Sequence, residues 1–373
     1  MTGMLIRPAL RRSQAQIRHV VPVRPSAARG LVARVYADVE REFGMLAPPV
    51  SLHSPAPEPL AACWSMLRES LVASGLVDRT AKEVVAASVS LGNACPYCVE
   101  VHSTTLRGLT RGRTAAAIAG DRIGSIADPA LRELAAWGRA SGRLDDVTRQ
   151  ERPFPAEQDA ELVGVAVTFH YLNRMVEVFL GDSPIPPGLP TVARRGAVGL
   201  LGRLMGRTAR TIRTPGASLD LLPAAPLPAD LSWAAGVPSI AGAFARAAAA
   251  LDLAAVRSVP ESVRDLVLAE LAGWHGQPAG ISRGWVDGMV SGLPATERPA
   301  GRLALLTALA PYRVDGSVIE EFRSGRRGDE TLIELTAWSS MVAARRVGSW
   351  LVGAPLPARP DRRGVDASRP PWR

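Results

Sequence analysis

Residues 82–109 read KEVVAASVSLGNACPYCVEVHSTTLRGL. Between Glu83 and Leu91 the apolar side chains recur at helical intervals, and Gly92-Asn93 interrupts them. Pro96 then stands where the first turn of a helix accepts a proline, because no backbone N–H is needed there. The stretch predicts a helix opening at Asp78, a residue suited to cap it, and ending at Leu91. A second helix is predicted from about Cys95 to Arg107. Cys95 and Cys98, three apart at the start of that second helix, share a face, and His102 lies one turn beyond Cys98 on one exposed stripe.

Two thiols so spaced can close a short disulfide loop, and an imidazole one turn away can exchange a proton with the nearer sulfur. The positive end of the helix dipole and a nearby imidazolium both favour thiolate, the form that attacks peroxides and disulfides. Cys98 gains the histidine and Cys95 gains more of the helix end. Other chemistries remain open at this point. Cys95, Cys98 and His102 offer three zinc ligands, but a fourth at ordinary spacing is missing unless the fold brings Cys63 or Glu83 to them. Covalent haem attachment needs a histidine directly after the second cysteine, where Val99 stands. Inert buried cysteines are the remaining alternative. The dipeptide Pro96-Tyr97 also occurs between glutaredoxin cysteines, yet a thioredoxin-like domain would place a strand before the pair, and TAKEVVAASVSLGNA is helical in period.

Working outward, helical periods are expected at Leu31–Phe43, Pro59–Ser74, Thr114–Ala119, Pro129–Ser141 and Ala156–Phe179. With 47% hydrophobic and only 5% aromatic residues, the 373-residue chain is expected to be all-α, with two domains and linkers. The expected segments are a flexible basic arm at 1–30, a redox-active helical domain at 31–190, a basic solvated helix and Pro-rich linker at 191–228, a second helical domain at 229–355 and a disordered tail at 356–373. The second domain reads as an eroded copy of the first. Asp265-Leu266-Val267 corresponds to Glu83-Val84-Val85, and at the same offset Gln277-Pro278-Ala279-Gly280 replaces Cys95–Cys98 while Gly284 replaces His102. Asp329–Leu351 likewise parallels Asp159–Leu180.

A net charge of +9 is weak evidence for a nucleic-acid partner, since Lys82 is the sole lysine and no basic helix interleaves with aromatics. Three cysteines do not make a secreted disulfide framework, and the start lacks an apolar core of signal-peptide length, so a reducing, cytoplasmic location is expected. The apolar stretch 233–256 carries Arg246, Asp252 and Pro238 and reads as a buried helix, not a membrane span.

The glutamate at 83, the C-x-x-C twelve residues later and the histidine four after its second cysteine resemble the signature of the alkylhydroperoxidase D branch of the carboxymuconolactone decarboxylase family. FHYLNRMVEVFL, with Phe169, His170, Asn173 and Arg174, is similar to a late helix of that family. The resemblance implies an alkylhydroperoxidase D-like helical fold and an antioxidant peroxidase. In it Cys98 attacks a hydroperoxide and becomes a sulfenic acid, Cys95 resolves it as a disulfide, and His102 with Glu83 relays the proton. It implies no tightly bound cofactor, an external dithiol reductant such as a lipoyl protein, a possible peroxiredoxin partner and assembly as a homo-oligomer. Tyr97 departs from members with a histidine between the cysteines, and the doubled length departs from the single unit. Decarboxylation is disfavoured because that branch does not need the cysteine pair. His170 is read as a satisfied core histidine. A redox sensor or dithiol carrier and a structural zinc protein are the competing readings.

Overall fold

The computed structural model describes residues 14–110, 112–146, 152–184, 191–280, 282–325 and 327–352. Every regular element among them is helical. The first half contributes α1 (Gly30–Phe43), α2 (Pro57–Leu67), α3 (Arg79–Gly92), α4 (Pro96–Leu109), α5 (Arg113–Ala119), α6 (Pro129–Ala140) and α7 (Asp159–Phe179). After α8 (Thr191–Ala209) come α9 (Pro238–Ser258), α10 (Glu261–Gly273), α11 (Gly284–Val290), α12 (Arg298–Leu309), α13 (Gly316–Arg323) and α14 (Asp329–Leu351). Local chemistry sets the ends. Asp78 accepts the Ala81 N–H at 3.0 Å and Asp128 accepts that of Leu131 at 3.2 Å, satisfying first-turn donors. Gly44, at φ +86°, closes α1 in the left-handed conformation that a Cβ disfavours.

The two halves do not form separate cores. α7 packs along α3 on one side and α14 on the other, and α9 packs along α2 and α14. Their side chains join one continuous hydrophobic cluster. α9 is the one described helix long and apolar enough to cross a membrane, but Ile240, Phe244, Ala247, Ala248 and Leu251 are buried within that cluster.

The expected arm and linker are also tighter than their composition suggests. Residues 1–13 and the tail 356–373 lie outside the described residues. From Gln14 onward the chain is docked: the Arg18 N–H donates to Phe179 O at 2.8 Å, Val23 N to Ser54 Oγ at 2.8 Å, and Val20 is buried. The segment after α8 is held by a buried charge cluster at the end of α2. Arg68 pairs with Glu42 at 2.8 Å and Glu69 at 2.6 Å and donates to Thr214 O. Glu69 accepts the Gly216 N–H at 2.7 Å. Charges removed from water need such complete pairing, and the linker's backbone supplies part of it.

Candidate active site

The connection between α3 and α4 fixes the cysteines. Asn93 ends α3, and Ala94 adopts φ +54°, a left-handed conformation unusual for a residue with a Cβ. The Ala94 N–H donates to Leu91 O and the Cys95 N–H to Ser90 O, the paired bonds that close a helix end with a left-handed residue. Cys95 thus finishes one helix and caps the next, and Pro96 opens α4 immediately. Both thiols are free, and Cys95 lies beside Cys98.

One turn along α4, His102 meets Glu83 of α3: Nδ1 stands 2.7 Å from Oε2. The other carboxylate oxygen of Glu83 accepts from Arg79 Nε at 2.9 Å and pairs with Nη2 at 2.8 Å. Burial pushes the Glu83 carboxyl up, but Arg79 and His102 pull harder, and the net shift is below its ordinary value of 4.5. Glu83 is therefore a carboxylate at neutral pH, which holds the proton on Nδ1 and leaves Nε2 for exchange. Phe169 of α7 presses edge-on against the imidazole, with centroids 4.5 Å apart.

α7 lines the rest of the site. Asn173 donates to Ser90 Oγ at 3.1 Å and accepts from Asn93 Nδ2 at 2.8 Å. His170 lies 3.1 Å from Asn93 Nδ2 through Nδ1 and 2.8 Å from Ser141 Oγ through Nε2. Burial and Arg174 hold its pKa well below the ordinary value. His170 is a neutral ring with both nitrogens engaged, so it ties α7 to the ends of α3 and α6. Near the end of α7, the Glu177 carboxyl lies beside the Cys95 thiol.

The exposed stripe expected from the spacing is instead enclosed: Cys95 is 0%, Cys98 4% and His102 6% exposed. α3 and α7 cover His102 through Glu83 and Phe169, and α8, expected to be a solvated basic helix, lies against α4. A Cβ on Gly206 would stand 2.6 Å from Gly108 Cα, so glycine on both helices permits the approach. Arg210 at the end of α8 donates to Gly108 O at 2.7 Å. Toward the other end the two helices part around a cavity of about 1070 Å³, walled by Leu91, Pro96 and Val99 and by Val198 and Gly202 of α8, with Arg107 and Arg203 on its lining and Cys95 reaching it. Enclosure also reverses the expected effect of the helix end on Cys95. Burial, Cys98 and the Glu177 carboxylate push that thiol well above its ordinary value. The partial charge of the helix end does not replace the lost water.

The remaining expectations separate cleanly. Cys63 is fully buried and far into the core of α2, its thiol pushed up by burial, and it does not join the pair. Among the described residues no three His, Cys, Asp or Glu side chains converge as a metal ion would require. The second half has no helix at Gln277–Gly280; α11 begins only at Gly284. Arg79 and Glu177 were not singled out from sequence. Arg79 stands four residues before Glu83, a readable helical ion-pair spacing. Glu177 stands four residues after Asn173, which stands four after Phe169, so the three share one stripe of α7.

A protein of Mycobacterium tuberculosis described as alkyl hydroperoxide reductase Rv2159c is 37% identical over 340 residues, spanning 91% of this chain and 96% of that protein. No family model matches the chain.

Proposed function

The chain belongs to the alkylhydroperoxidase D-like family, and on that premise we propose that it reduces organic hydroperoxides or hydrogen peroxide through a Cys95–Cys98 disulfide cycle. The Cys98 thiolate attacks the O–O bond, a sulfur–oxygen bond forms, and the departing alkoxide takes a proton from His102, leaving alcohol and a Cys98 sulfenic acid. Cys95 displaces hydroxide from that sulfenic acid, which leaves as water and closes the disulfide. An external dithiol, such as a lipoyl-bearing protein, reopens it by thiol–disulfide exchange, with a peroxiredoxin as a possible further partner, in a reducing compartment. No bound cofactor enters these steps.

The observation that carries this reading is the His102–Glu83 hydrogen bond, at 2.7 Å, on the helix that bears both cysteines. It supplies an oriented proton carrier one turn from Cys98. The test is peroxide-dependent loss of titratable thiol in the purified chain. We expect two thiols lost per protein, none lost in Cys98→Ser, and recovery on adding dithiol. Thiols unchanged by excess hydroperoxide in the wild type would overturn the reading.

A further inference from the structure

Cys95 poses a problem for any cycle in which it attacks a sulfenic acid. It must do so as thiolate, and its surroundings favour the neutral thiol: it is buried, beside a second sulfur and a carboxylate. Something adjacent has to remove the proton during the attack, and His102 Nδ1 is already engaged by Glu83.

α7 provides the candidate. Its residues at 169, 173 and 177 form a single stripe along the site, each meeting a different part of it. Phe169 packs on the His102 ring, Asn173 ties to the end of α3 through Ser90 and Asn93, and Glu177 completes the row at the Cys95 thiol. The same stripe that orients the proton carrier of Cys98 thus sets a carboxylate against Cys95.

We infer that Glu177 is the base that takes the Cys95 proton as the disulfide closes, an inference that rests on the peroxidase reading above. The Cys95 S–H proton passes to the Glu177 carboxylate while the Cys95 sulfur bonds to the Cys98 sulfur. The Cys98 S–O bond breaks, and its hydroxyl leaves as water with a proton that His102 has taken back from solvent since protonating the alkoxide. No outside oxidant is needed, because the hydroperoxide has already been spent in forming the sulfenic acid. On reduction by the dithiol, Glu177 returns the proton to Cys95.

The groups facing Glu177 tune it for that exchange. Burial and Asp182 raise its pKa, while the Cys95 thiol and Arg18 lower it, and the balance brings it up to about 7. A carboxyl poised there both accepts and releases a proton near neutrality. Arg18 is held in place by the docked N-terminal segment, its N–H bonded to Phe179 O.

The experiment uses the full chain, treated with one equivalent of cumene hydroperoxide and quenched at intervals with a sulfenic-acid trap. Trapped sulfenic acid and disulfide are counted by mass spectrometry at several pH values. In the wild type, closure should quicken as pH rises and level off past a midpoint near 7. In Glu177→Gln the ratio of closure to sulfenic-acid formation should fall roughly 100-fold, sulfenic acid should accumulate, and the midpoint should vanish. Glu177→Asp, which keeps a carboxyl, should restore a midpoint. Sulfenic acid that closes as fast in Glu177→Gln, with an unchanged pH profile, overturns this inference alone. A wild type that forms no Cys98 sulfenic acid overturns the peroxidase reading and this inference with it. If Glu177→Gln fails to fold, wild-type closure without a midpoint near 7 is the overturning result.

Discussion

Replacing Glu83 by Gln keeps the shape of the side chain and removes the charge that His102 and Arg79 share. Glu83 is fully buried, with His102 Nδ1 at 2.7 Å and Arg79 Nη2 at 2.8 Å. A hydrogen bond to a charged group contributes about 1.5–3 kcal/mol. If that stabilisation is felt in the transition state, where His102 gives up its proton, its loss slows sulfenic-acid formation by roughly 10- to 100-fold at about 1.36 kcal/mol per decade. Stopped-flow peroxide consumption under single-turnover conditions measures this directly. The variant should also be less stable at neutral pH, and the sign of its pH dependence follows from the shift. Because the folded state holds this carboxyl below its ordinary 4.5, its contribution is complete above that value and fades as acid protonates it. The stability gap between wild type and Glu83→Gln should therefore persist at pH 7 and narrow below pH 4.5. A variant that consumes peroxide at the wild-type rate would refute the relay.

Lys82→Met should cost about 3–5 kcal/mol, because it leaves Glu161 buried without the ammonium 2.6 Å away. Lys82→Met with Glu161→Leu should recover much of that in denaturant titrations, whereas a single variant as stable as wild type would show the pair to be dispensable. Gly206→Val, whose Cβ would stand 2.6 Å from Gly108 Cα, should lift α8 from α4. The expected readout is faster tryptic cleavage at Arg203 and Arg207 with faster alkylation of Cys95, and unchanged rates for both would mean that α8 does not shield the thiol.

Much of the site was legible because its logic is local. Asp78, the Gly92-Asn93 break and Pro96 set the ends of α3 and α4, and the spacing of Cys95, Cys98 and His102 places them on one helix face. Glu83 was reachable only through the family resemblance, since its partner lies on another helix. Glu177 was not reachable, because a stripe on α7 acquires meaning only once that helix is laid beside α4. Enclosure of the thiols was misread for a similar reason. The arginines between 194 and 213 suggested a solvated face, while the spacing of Gly202 and Gly206, which marks close helix approach, carried the more useful information. The docked residues after Gln14 were misread because few of them are large and apolar; backbone hydrogen bonds to α7 and its end do what side-chain burial could not.

α7 has a second consequence. One edge of it faces the thiols, and the opposite edge lies against α14, in the half of the chain that carries no cysteine. That half also reaches the loop after α6, where His275 O accepts the Leu144 N–H and Gly276 sits so close to Gly142 that no larger residue fits. Reagents and buttress have thus been divided between the two segments. The segment without cysteines holds none of the thiols, but a change that shortens α14 or fills Gly276 would be felt as slackness in the row from Phe169 to Glu177. Selection for peroxide chemistry would then reach residues that never meet a peroxide.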